Sequence, residues 1–378
     1  MQKNIIIISS GHPSMDERIF WKFGLSLSGN GYKVQITTSV EELHIVKENI
    51  TINSFDGLNI TKREKINRFF SIIKEFDADL VICCEPLPIL AAHKFRKIKR
   101  SCKIISDITE WYPFRSHYQD YSGLKKIIMY LGHYLFNIYV SNLTDHMIIS
   151  ERLKAKPYGI FAPLKKQAII GHFPPKSFFN YYPVTFKKDK ITLCFAGTFL
   201  EERGFYRVVR LTNLLADKFC DFKIILLLIG NFENDYDKNR FHQIHLQKNI
   251  VIKIKERVDY KLYSEQLSEA DICIDLRSKT KMRDKSIPIK IFDYMACGKP
   301  VIFSNVKAFD DFPEILEFGH LVEPDDYESI ITIIEKYFSD PRLLSEHSYN
   351  ARQLFENKFN WEISEKVLLK IIGDLIPA

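Results

Sequence analysis

The chain alternates short runs of hydrophobic residues with stretches whose apolar residues recur at helical spacing. Residues 4–9 contain four consecutive isoleucines, which predicts a buried β-strand. In residues 18–28, Ile19, Phe23 and Leu27 are four apart, which predicts an amphipathic helix. Three further strands are predicted at 33–38, 80–84 and 103–106, and two further helices at 62–76 and 88–97. This alternation is typical of a parallel, doubly wound α/β sheet.

The same alternation begins again after residue 190. Strands are predicted at 191–196, 223–229, 250–254, 272–276 and 300–304, and helices at 205–219, 260–270 and 288–295. Between the two halves lie residues 157–183, which are rich in proline and aromatic residues. We therefore place the boundary there and predict one domain over residues 1–175 and a second over residues 185–355.

Composition places the chain among ordinary globular proteins. Of its 378 residues, 46% are hydrophobic and 27% are charged, which excludes a disordered chain, a collagen-like fibre and a small disulfide-rich protein. The isoleucine run is too short for a signal-peptide core, and the apolar stretch at 127–140 is too short to span a bilayer. The seven cysteines have no metal-ligand spacing, which favours reduced thiols in a cytoplasmic protein.

The net charge is +7, from 54 Lys and Arg against 47 Asp and Glu, and it is unevenly distributed. Residues 152–188 contain basic residues and no acidic ones. This segment is either a solvated linker or a positive rim for a diphosphate or an anionic lipid. The total excess is mild for a chain of this length, so no nucleic-acid partner is predicted.

Two segments of the second domain carry residues suited to a nucleotide. Residues 197–204 join a predicted strand to a helix, and Arg203 in this loop is suited to a phosphate contact. The loop has neither P-loop nor dinucleotide-binding spacing. In residues 286–302, Lys290 and Asp293 face one side of a short helix, as a phosphate cation and a ribose carboxylate would. The alternative is an ordinary salt bridge between those two side chains.

The loop after the first strand, residues 11–18, has residues suited to sugar hydroxyls. His12, Asp16 and Arg18 are the candidates. The alternative is that Asp16 caps the following helix and Arg18 pairs with a nearby carboxylate.

An acidic and aromatic segment follows the strand predicted at 103–106. Asp107 and Glu110 stand beside Trp111, Tyr112 and Pro113. Carboxylates that accept hydroxyl protons, next to rings that stack on sugar faces, are suited to carbohydrate; the alternative is a plain turn.

Together these segments resemble the family-4 retaining glycosyltransferases. The C-terminal signature of that family is similar to SIPIKIFDYMACGKPVI, and its phosphate loop to FAGTFLEERGF. Its first loop and helix, its acid-rich segment and its late strand and turn are similar to HPSMDERIFWKFGLSLSGNGYKV, DITEWYP and FGHLVEPDD. The resemblance extends over nearly the whole chain. It implies the GT-B fold, in which two Rossmann-like, doubly wound α/β domains face a central cleft.

The resemblance also implies a reaction. The second domain would bind a nucleotide-diphosphate sugar, the first would bind a saccharide acceptor, and the sugar would keep its anomeric configuration. The predicted donor-binding residues are Gly197, Thr198, Arg203, Gly230, Val258, Ser286, Lys290 and Asp293. The predicted acceptor-binding residues are Gly11, His12, Asp16, Arg18 and Asp107.

Three residues are predicted to be catalytic. Arg203 and Lys290 would stabilise the leaving diphosphate, and Glu110 would orient the acceptor or the sugar. No metal cofactor is expected, because no Asp-x-Asp motif stands in a suitable loop. Two departures from the family pattern are Thr198, where an arginine is common, and Lys285, where a glutamate is common.

The acceptor half has a basic segment at 93–103 and an apolar, aromatic segment at 123–140 that contains two lysines near its start. Together they favour a lipid-linked acceptor and peripheral docking on the anionic inner face of the plasma membrane. The alternative is that residues 123–140 form a core helix. In similar enzymes the last helix packs back on the first domain, which would apply here to residues 361–378.

Three other functions stay open on the sequence alone. A nucleotide-sugar epimerase would share the fold and need no separate acceptor. A nucleotide-binding dehydrogenase is disfavoured by the missing fingerprint. A non-enzymatic protein would use the basic segments to bind an anion or a membrane.

Overall fold

A computed structural model describes residues 2–110, 118, 120–280 and 283–377. The chain forms two compact units of similar size. The first contains Met1–His172 and Ile363–Ala378, and the second contains Phe173–Glu362. Each unit is built around one twisted β-sheet with helices packed against it.

The sheet of the first unit is parallel except at one edge. Its strands are β1 (Asn4–Ser9), β2 (Lys33–Thr38), β3 (Val40–Lys47), β4 (Ile50–Asp56), β5 (Leu80–Cys83), β6 (Lys103–Ile108), β7 (His146–Ile149) and β8 (Lys166–Ile169). Their order is β3-β4-β2-β1-β5-β6-β7-β8, and β3 pairs with β4 in the antiparallel direction. The order reverses beside β1, so loops after β1 and β5 lie at a topological switch point, where ligands bind in such sheets.

The helices of the first unit begin with a π-helical turn at Ile19–Gly24 that leads into α1 (Leu25–Gly29). The others are α2 (Lys62–Phe76), α3 (Pro86–Arg96), α4 (Gly123–Asn142) and α5 (Arg152–Phe161). A capping box between Thr61 and Glu64 begins α2, and Asp77 ends it in the left-handed conformation. The predicted bounds of α2 are therefore confirmed.

The apolar segment predicted at 123–140 forms α4, but it is not a core helix. Only Asn137, Val140 and Ser141 of this helix are buried. Its exposed apolar side chains recur at helical spacing and include Leu124, Ile127, Ile128, Leu131 and Leu135. The interpretation of residues 123–140 as a core helix is therefore wrong.

The sheet of the second unit is entirely parallel. Its strands are β9 (Lys190–Thr198), β10 (Lys223–Asn231), β11 (Ile250–Lys255), β12 (Ile272–Asp275), β13 (Val301–Ser304) and β14 (Gly319–Val322), in the order β11-β10-β9-β12-β13-β14. This is the doubly wound order of nucleotide-binding domains, with its switch point between β9 and β12.

The helices of the second unit surround this sheet. They are α6 (Phe205–Lys218), α7 (Asp235–His242), α8 (Tyr263–Gln266), α9 (Lys290–Ala296), α10 (Tyr327–Ser339) and α11 (Pro341–Asn357). The amphipathic helix α6 buries Phe205, Val208, Leu211 and Leu215 against strand residues such as Phe195. The last helix, α12 (Trp361–Leu375), begins in this unit, and its residues from Ile363 onward group with the first unit.

Candidate functional site

The carboxyl edge of the second sheet is shaped by two glycines that pair in register. Gly197 at the end of β9 and Gly230 near the end of β10 have φ of 129° and 144°. A Cβ on Gly230 would lie 2.0 Å from the carbonyl oxygen of Gly197. Only glycine at position 230 allows this close approach of the two strand ends at the switch point of the sheet.

A buried carboxylate organises the cations beside this loop. Asp275, at the end of β12, is fully buried and accepts hydrogen bonds from Arg277, whose Nη2 lies 2.6 Å from Oδ2. The Nζ of Lys290, in the first turn of α9, lies 3.0 Å from the same Oδ2 and 2.5 Å from the carbonyl oxygen of Ala196. Lys290 is therefore held directly against the end of β9.

This cluster has more positive than negative charge. Arg203, Arg277 and Lys290 surround the single buried carboxylate of Asp275, whose pKa is lowered by Arg277 and then by Lys290 against the opposing effect of burial. Burial lowers the pKa of Lys290, and Arg277 lowers it further. Partial desolvation of its guanidinium likewise lowers the pKa of Arg203, although the residue as a whole is exposed, and repulsion from Arg277 and Arg283 lowers this pKa further. Mutual repulsion among cations indicates a site that an anion would stabilise.

The guanidinium of Arg203 has neither a hydrogen bond nor an ion pair within the described parts of the chain, in contrast to its neighbours. Arg277 is bound by Asp275, and Arg283 is bound by Glu202. Arg203 is exposed in the short turn that precedes α6, so its charge is available to a ligand.

The structure decides between the two interpretations of Lys290 and Asp293. Lys290 pairs with Asp275, so an ordinary salt bridge with Asp293 is not its role. Asp293 is buried on α9 and accepts a hydrogen bond of 3.3 Å from the hydroxyl of Tyr260. Asp275 and Tyr260 were not found from sequence, since neither stands in a segment that predicts a site.

The position of Thr198, where an arginine is common in the family, is approached by another arginine. The Nη2 of Arg257 donates a hydrogen bond of 3.2 Å to Thr198 Oγ1. Arg257 follows β11, and β10 lies between that strand and β9, which ends at Thr198. The neighbouring Val258 is exposed.

Two other residues near the predicted donor site lie before α9. Ser286 is half-buried, and Lys285 is exposed in the short helical turn Arg283–Lys285. Lys285 therefore places a positive charge where the family pattern often has a carboxylate.

In the first unit, three residues predicted to bind the acceptor have partners within the protein. The Nε and Nη2 of Arg18 each lie 2.7 Å from a carboxylate oxygen of Asp107, and the two residues are only 2% and 1% exposed. Asp16 accepts hydrogen bonds from the backbone amides of Arg18 and Ile19, which caps the following turn. These contacts fix the loop after β1 and confirm the alternative that Asp16 caps the turn and Arg18 pairs with a carboxylate. A role of the three residues in acceptor binding stays a prediction.

His12 has a different environment. Its Nδ1 lies 2.8 Å from Glu85 Oε1, and Glu85 also accepts hydrogen bonds from Ser9 Oγ at 2.7 Å and from the Ser10 amide at 2.6 Å. The hydrogen bond to Glu85 raises the pKa of His12 to about 9, against the opposing effect of burial. His12 is therefore an imidazolium at neutral pH.

A cavity of about 360 Å³ opens beside this pair. Its wall includes Gly11, His12, Thr109 and Glu110, with Tyr158 further along. The structure therefore places the predicted residues Gly11, His12 and Glu110 at one cavity, and Glu85 joins them as a residue that the sequence analysis missed. The predicted aromatic neighbours Trp111, Tyr112 and Pro113 lie outside the described residues.

Two features are absent from the described parts of the chain. These parts contain no group of three or more His, Cys, Asp or Glu side chains arranged to hold a metal ion. They also contain no helix that is long and apolar enough to cross a membrane.

Comparison with known proteins identifies the type of fold. Residues 182–354 match the family described as Glycosyl transferases group 1. An uncharacterized glycosyltransferase of Methanocaldococcus jannaschii is 24% identical over 189 residues, which are 50% of this chain and 46% of that protein. The match thus spans about half the length of this curated relative.

Two solved structures resemble the chain over nearly its full length. Sucrose-phosphate synthase from Thermosynechococcus elongatus has 16% identity and a TM-score of 0.73, with 99% of each chain covered. The Anabaena protein HepE, solved in complex with UDP, has 11% identity and a TM-score of 0.71, with 99% of this chain and 100% of that chain covered. The predicted GT-B fold is therefore confirmed.

Proposed function

We propose that the protein is a glycosyltransferase that moves a sugar, with retention of its anomeric configuration, from a nucleotide-diphosphate donor to a saccharide acceptor. The observation that carries this proposal is the cation cluster of Arg203, Arg277 and Lys290 around one buried carboxylate at the switch point of the second sheet. A diphosphate supplies the negative charge that this cluster lacks. The family match over this unit and the UDP bound by HepE support the same ligand.

In this proposal the second unit binds the donor through groups with distinct roles. Arg203 and Lys290 contact the diphosphate, and the lack of a side chain at Gly197, which Gly230 packs against, allows the diphosphate to approach the backbone closely. Asp293 accepts hydrogen bonds from the ribose hydroxyls. Thr198, Val258 and Ser286 lie at the rim of the same site.

Arg257 makes the phosphate contact that, in the family pattern, is made by an arginine at the position of Thr198. Its guanidinium already lies against the Thr198 hydroxyl, and no carboxylate contacts it in the described residues. An arginine that follows β11 thus replaces one at the end of β9.

The chemical step is stabilisation of the leaving group. As the bond between the sugar and the diphosphate breaks, negative charge grows on the phosphate oxygens, and Arg203 and Lys290 stabilise it. These side chains supply the charge that a metal ion would otherwise supply, so the proposal includes no metal cofactor. The leaving phosphate accepts the proton of the acceptor hydroxyl, which attacks from the same face of the sugar.

The first unit binds the acceptor in the cavity beside His12. Glu110 orients a hydroxyl of the acceptor or of the donor sugar. We propose a lipid-linked saccharide as the acceptor and the inner face of the plasma membrane as the place of action, with the protein in the cytoplasm and peripherally bound. The exposed apolar stripe on α4, together with Lys125 and Lys126, supports this placement.

The test is a panel of nucleotide sugars incubated with the protein, with and without membrane lipid extract. The proposal expects release of a nucleoside diphosphate together with a glycosylated lipid product. A new nucleotide sugar formed from the donor alone would instead favour an epimerase, and no nucleotide binding at all would refute the proposal.

A further inference from the structure

A second, apolar cavity adjoins the one beside His12. It has a volume of about 600 Å³ and lies between α4 and the start of α3. Its apolar wall is formed by Pro86, Leu87, Ile128, Met129 and Phe136. None of the catalytic roles proposed above uses this space.

The two cavities meet at a polar junction. Gly11, Glu85 and Pro86 line both of them, and His12 lines the smaller one next to Glu85. The larger cavity is thus mainly apolar, with Lys62 and His133 also on its wall, and it reaches Glu85 of the charged His12–Glu85 pair. Beyond the pair, the smaller cavity has the hydroxyl and carboxylate groups of Ser106, Thr109 and Glu110.

The His12–Glu85 ion pair is neutral overall, so the net positive charge beside the junction comes from Lys62. Glu85 is neutralised by His12, and the Ser9 hydroxyl and the Ser10 amide donate to the same carboxylate. Lys62, the first residue of α2, adds a further cation on the wall of the larger cavity. Burial lowers the pKa of His133 on that wall, and the Lys62 charge lowers it further, so His133 is neutral there.

We propose that these adjoining cavities bind the acceptor as a lipid phosphate, a hydrocarbon chain joined through phosphate to a sugar. The chain lies in the apolar cavity, the phosphate lies at His12 with Lys62 nearby, and the sugar extends toward Glu110. This order of apolar, anionic and hydroxyl-bearing groups matches the order of the cavity walls. The inference rests on the proposed function and specifies its acceptor.

The chain offers a direct way to fill the apolar cavity. Gly132 on α4 lines it, and no atom outside the helix backbone lies within 4 Å of a Cβ placed there. Gly132→Phe therefore places a ring in open space, and it also removes a helix-interior glycine. The matched control is Gly159→Phe on α5, which is equally unobstructed and lines neither cavity.

The experiment measures binding of three probes below micellar concentration: decyl phosphate, decyl glucoside and inorganic phosphate. We expect wild type and Gly159→Phe to bind decyl phosphate at least tenfold more tightly than either other probe, and Gly132→Phe to lose that binding at least tenfold. His12→Gln should abolish the preference for decyl phosphate over decyl glucoside. If Gly132→Phe fails to fold, Gly132→Leu provides the same comparison.

Two results would overturn the inference: equal binding of the phosphate and glucoside probes by wild type, or unchanged binding in the cavity-filling variant. UDP binding, measured on the same samples, reports on the second unit alone. Normal UDP binding with no binding of decyl phosphate removes only the lipid-phosphate site. If wild type does not bind UDP, that result would count against the proposed function itself.

Discussion

Lys290→Ala is the most informative change in the second unit, because it removes a cation from the predicted diphosphate site. Lys290 is partly exposed, and it contacts both Asp275 and the carbonyl oxygen of Ala196. Asp275 keeps two hydrogen bonds from Arg277 in the variant, so no buried carboxylate is left without a partner. The variant should therefore fold.

The variant should lose both activity and some stability. Loss of a charge-stabilising contact to the leaving group costs about 2–4 kcal/mol, or roughly 30- to 900-fold in rate. Loss of each of the two hydrogen bonds of Lys290, to Asp275 and to the Ala196 carbonyl oxygen, costs about 1.5–3 kcal/mol of unfolding free energy.

The assay compares nucleoside diphosphate and monophosphate binding by calorimetry, together with transfer at saturating donor. The variant should lose affinity for the diphosphate much more than for the monophosphate. Lys238→Ala on α7 is the control, since it removes an exposed helix lysine of the same unit that has no ion pair in the described structure. Diphosphate affinity and transfer rate within threefold of wild type would refute the assignment of Lys290.

Three further predictions follow from the same structure. Arg257→Ala should weaken nucleoside diphosphate binding about 10- to 100-fold, as expected for the loss of a charged hydrogen bond of about 1.5–3 kcal/mol, and calorimetry that finds no change would remove Arg257 from the donor site. Asp107→Asn should lower the unfolding free energy by about 3–5 kcal/mol in denaturant titration, because it leaves the buried Arg18 guanidinium without its counter-charge, and a loss below 1 kcal/mol would contradict that role. The hydrogen bond to Glu85 raises the pKa of His12 from 6.5 to about 9, so the stability that the protonated His12 contributes is complete below pH 6.5 and is lost as pH rises through 9. The difference in unfolding free energy between wild type and His12→Gln should therefore shrink over that pH range. A difference that does not depend on pH would contradict the ion pair.

The fold was largely predictable because it depends on local patterns. Buried strands such as β1 and β10 are continuous apolar runs, and the capping box of α2 is formed by Thr61 and Glu64, which are three residues apart in the sequence. The strand β3 was missed because it is an edge strand with no fully buried residue, so its sequence lacks the apolar run of a buried strand. The periodicity of α4 was visible, but a sequence cannot tell whether an apolar stripe packs inward or stays exposed.

The sequence predicted which loops carry the residues of the candidate sites, but not which of those residues pair with each other. His12 and Glu85 are 73 residues apart, and Arg18 and Asp107 are 89 apart, so only the sheet topology brings each pair together. Lys290 was recognised as a cation, but its partner Asp275 comes from a neighbouring strand and replaces the local partner Asp293. Local spacing thus indicated which residue types would be present, and strand order decided which of them meet.

The arginine near Thr198 illustrates the same limit. The sequence has a threonine, Thr198, where the family often has an arginine, which suggests that a phosphate contact is lost. In the structure, Arg257 reaches that position from the loop after β11, two strands away in the sheet. A replacement of this kind is visible only when the strand order is known.

The central claim is that a nucleotide-diphosphate sugar bound at the cation cluster of the second unit gives up its sugar to an acceptor. The most direct measurement is simultaneous detection of nucleoside diphosphate and glycosylated product, with a radiolabelled donor, in wild type and in a double variant of Arg203→Ala and Lys290→Ala. The account predicts equimolar formation of both products by wild type and a loss of at least 100-fold in the double variant. Undiminished product formation by the double variant, or no binding of any nucleotide sugar by wild type, would contradict it.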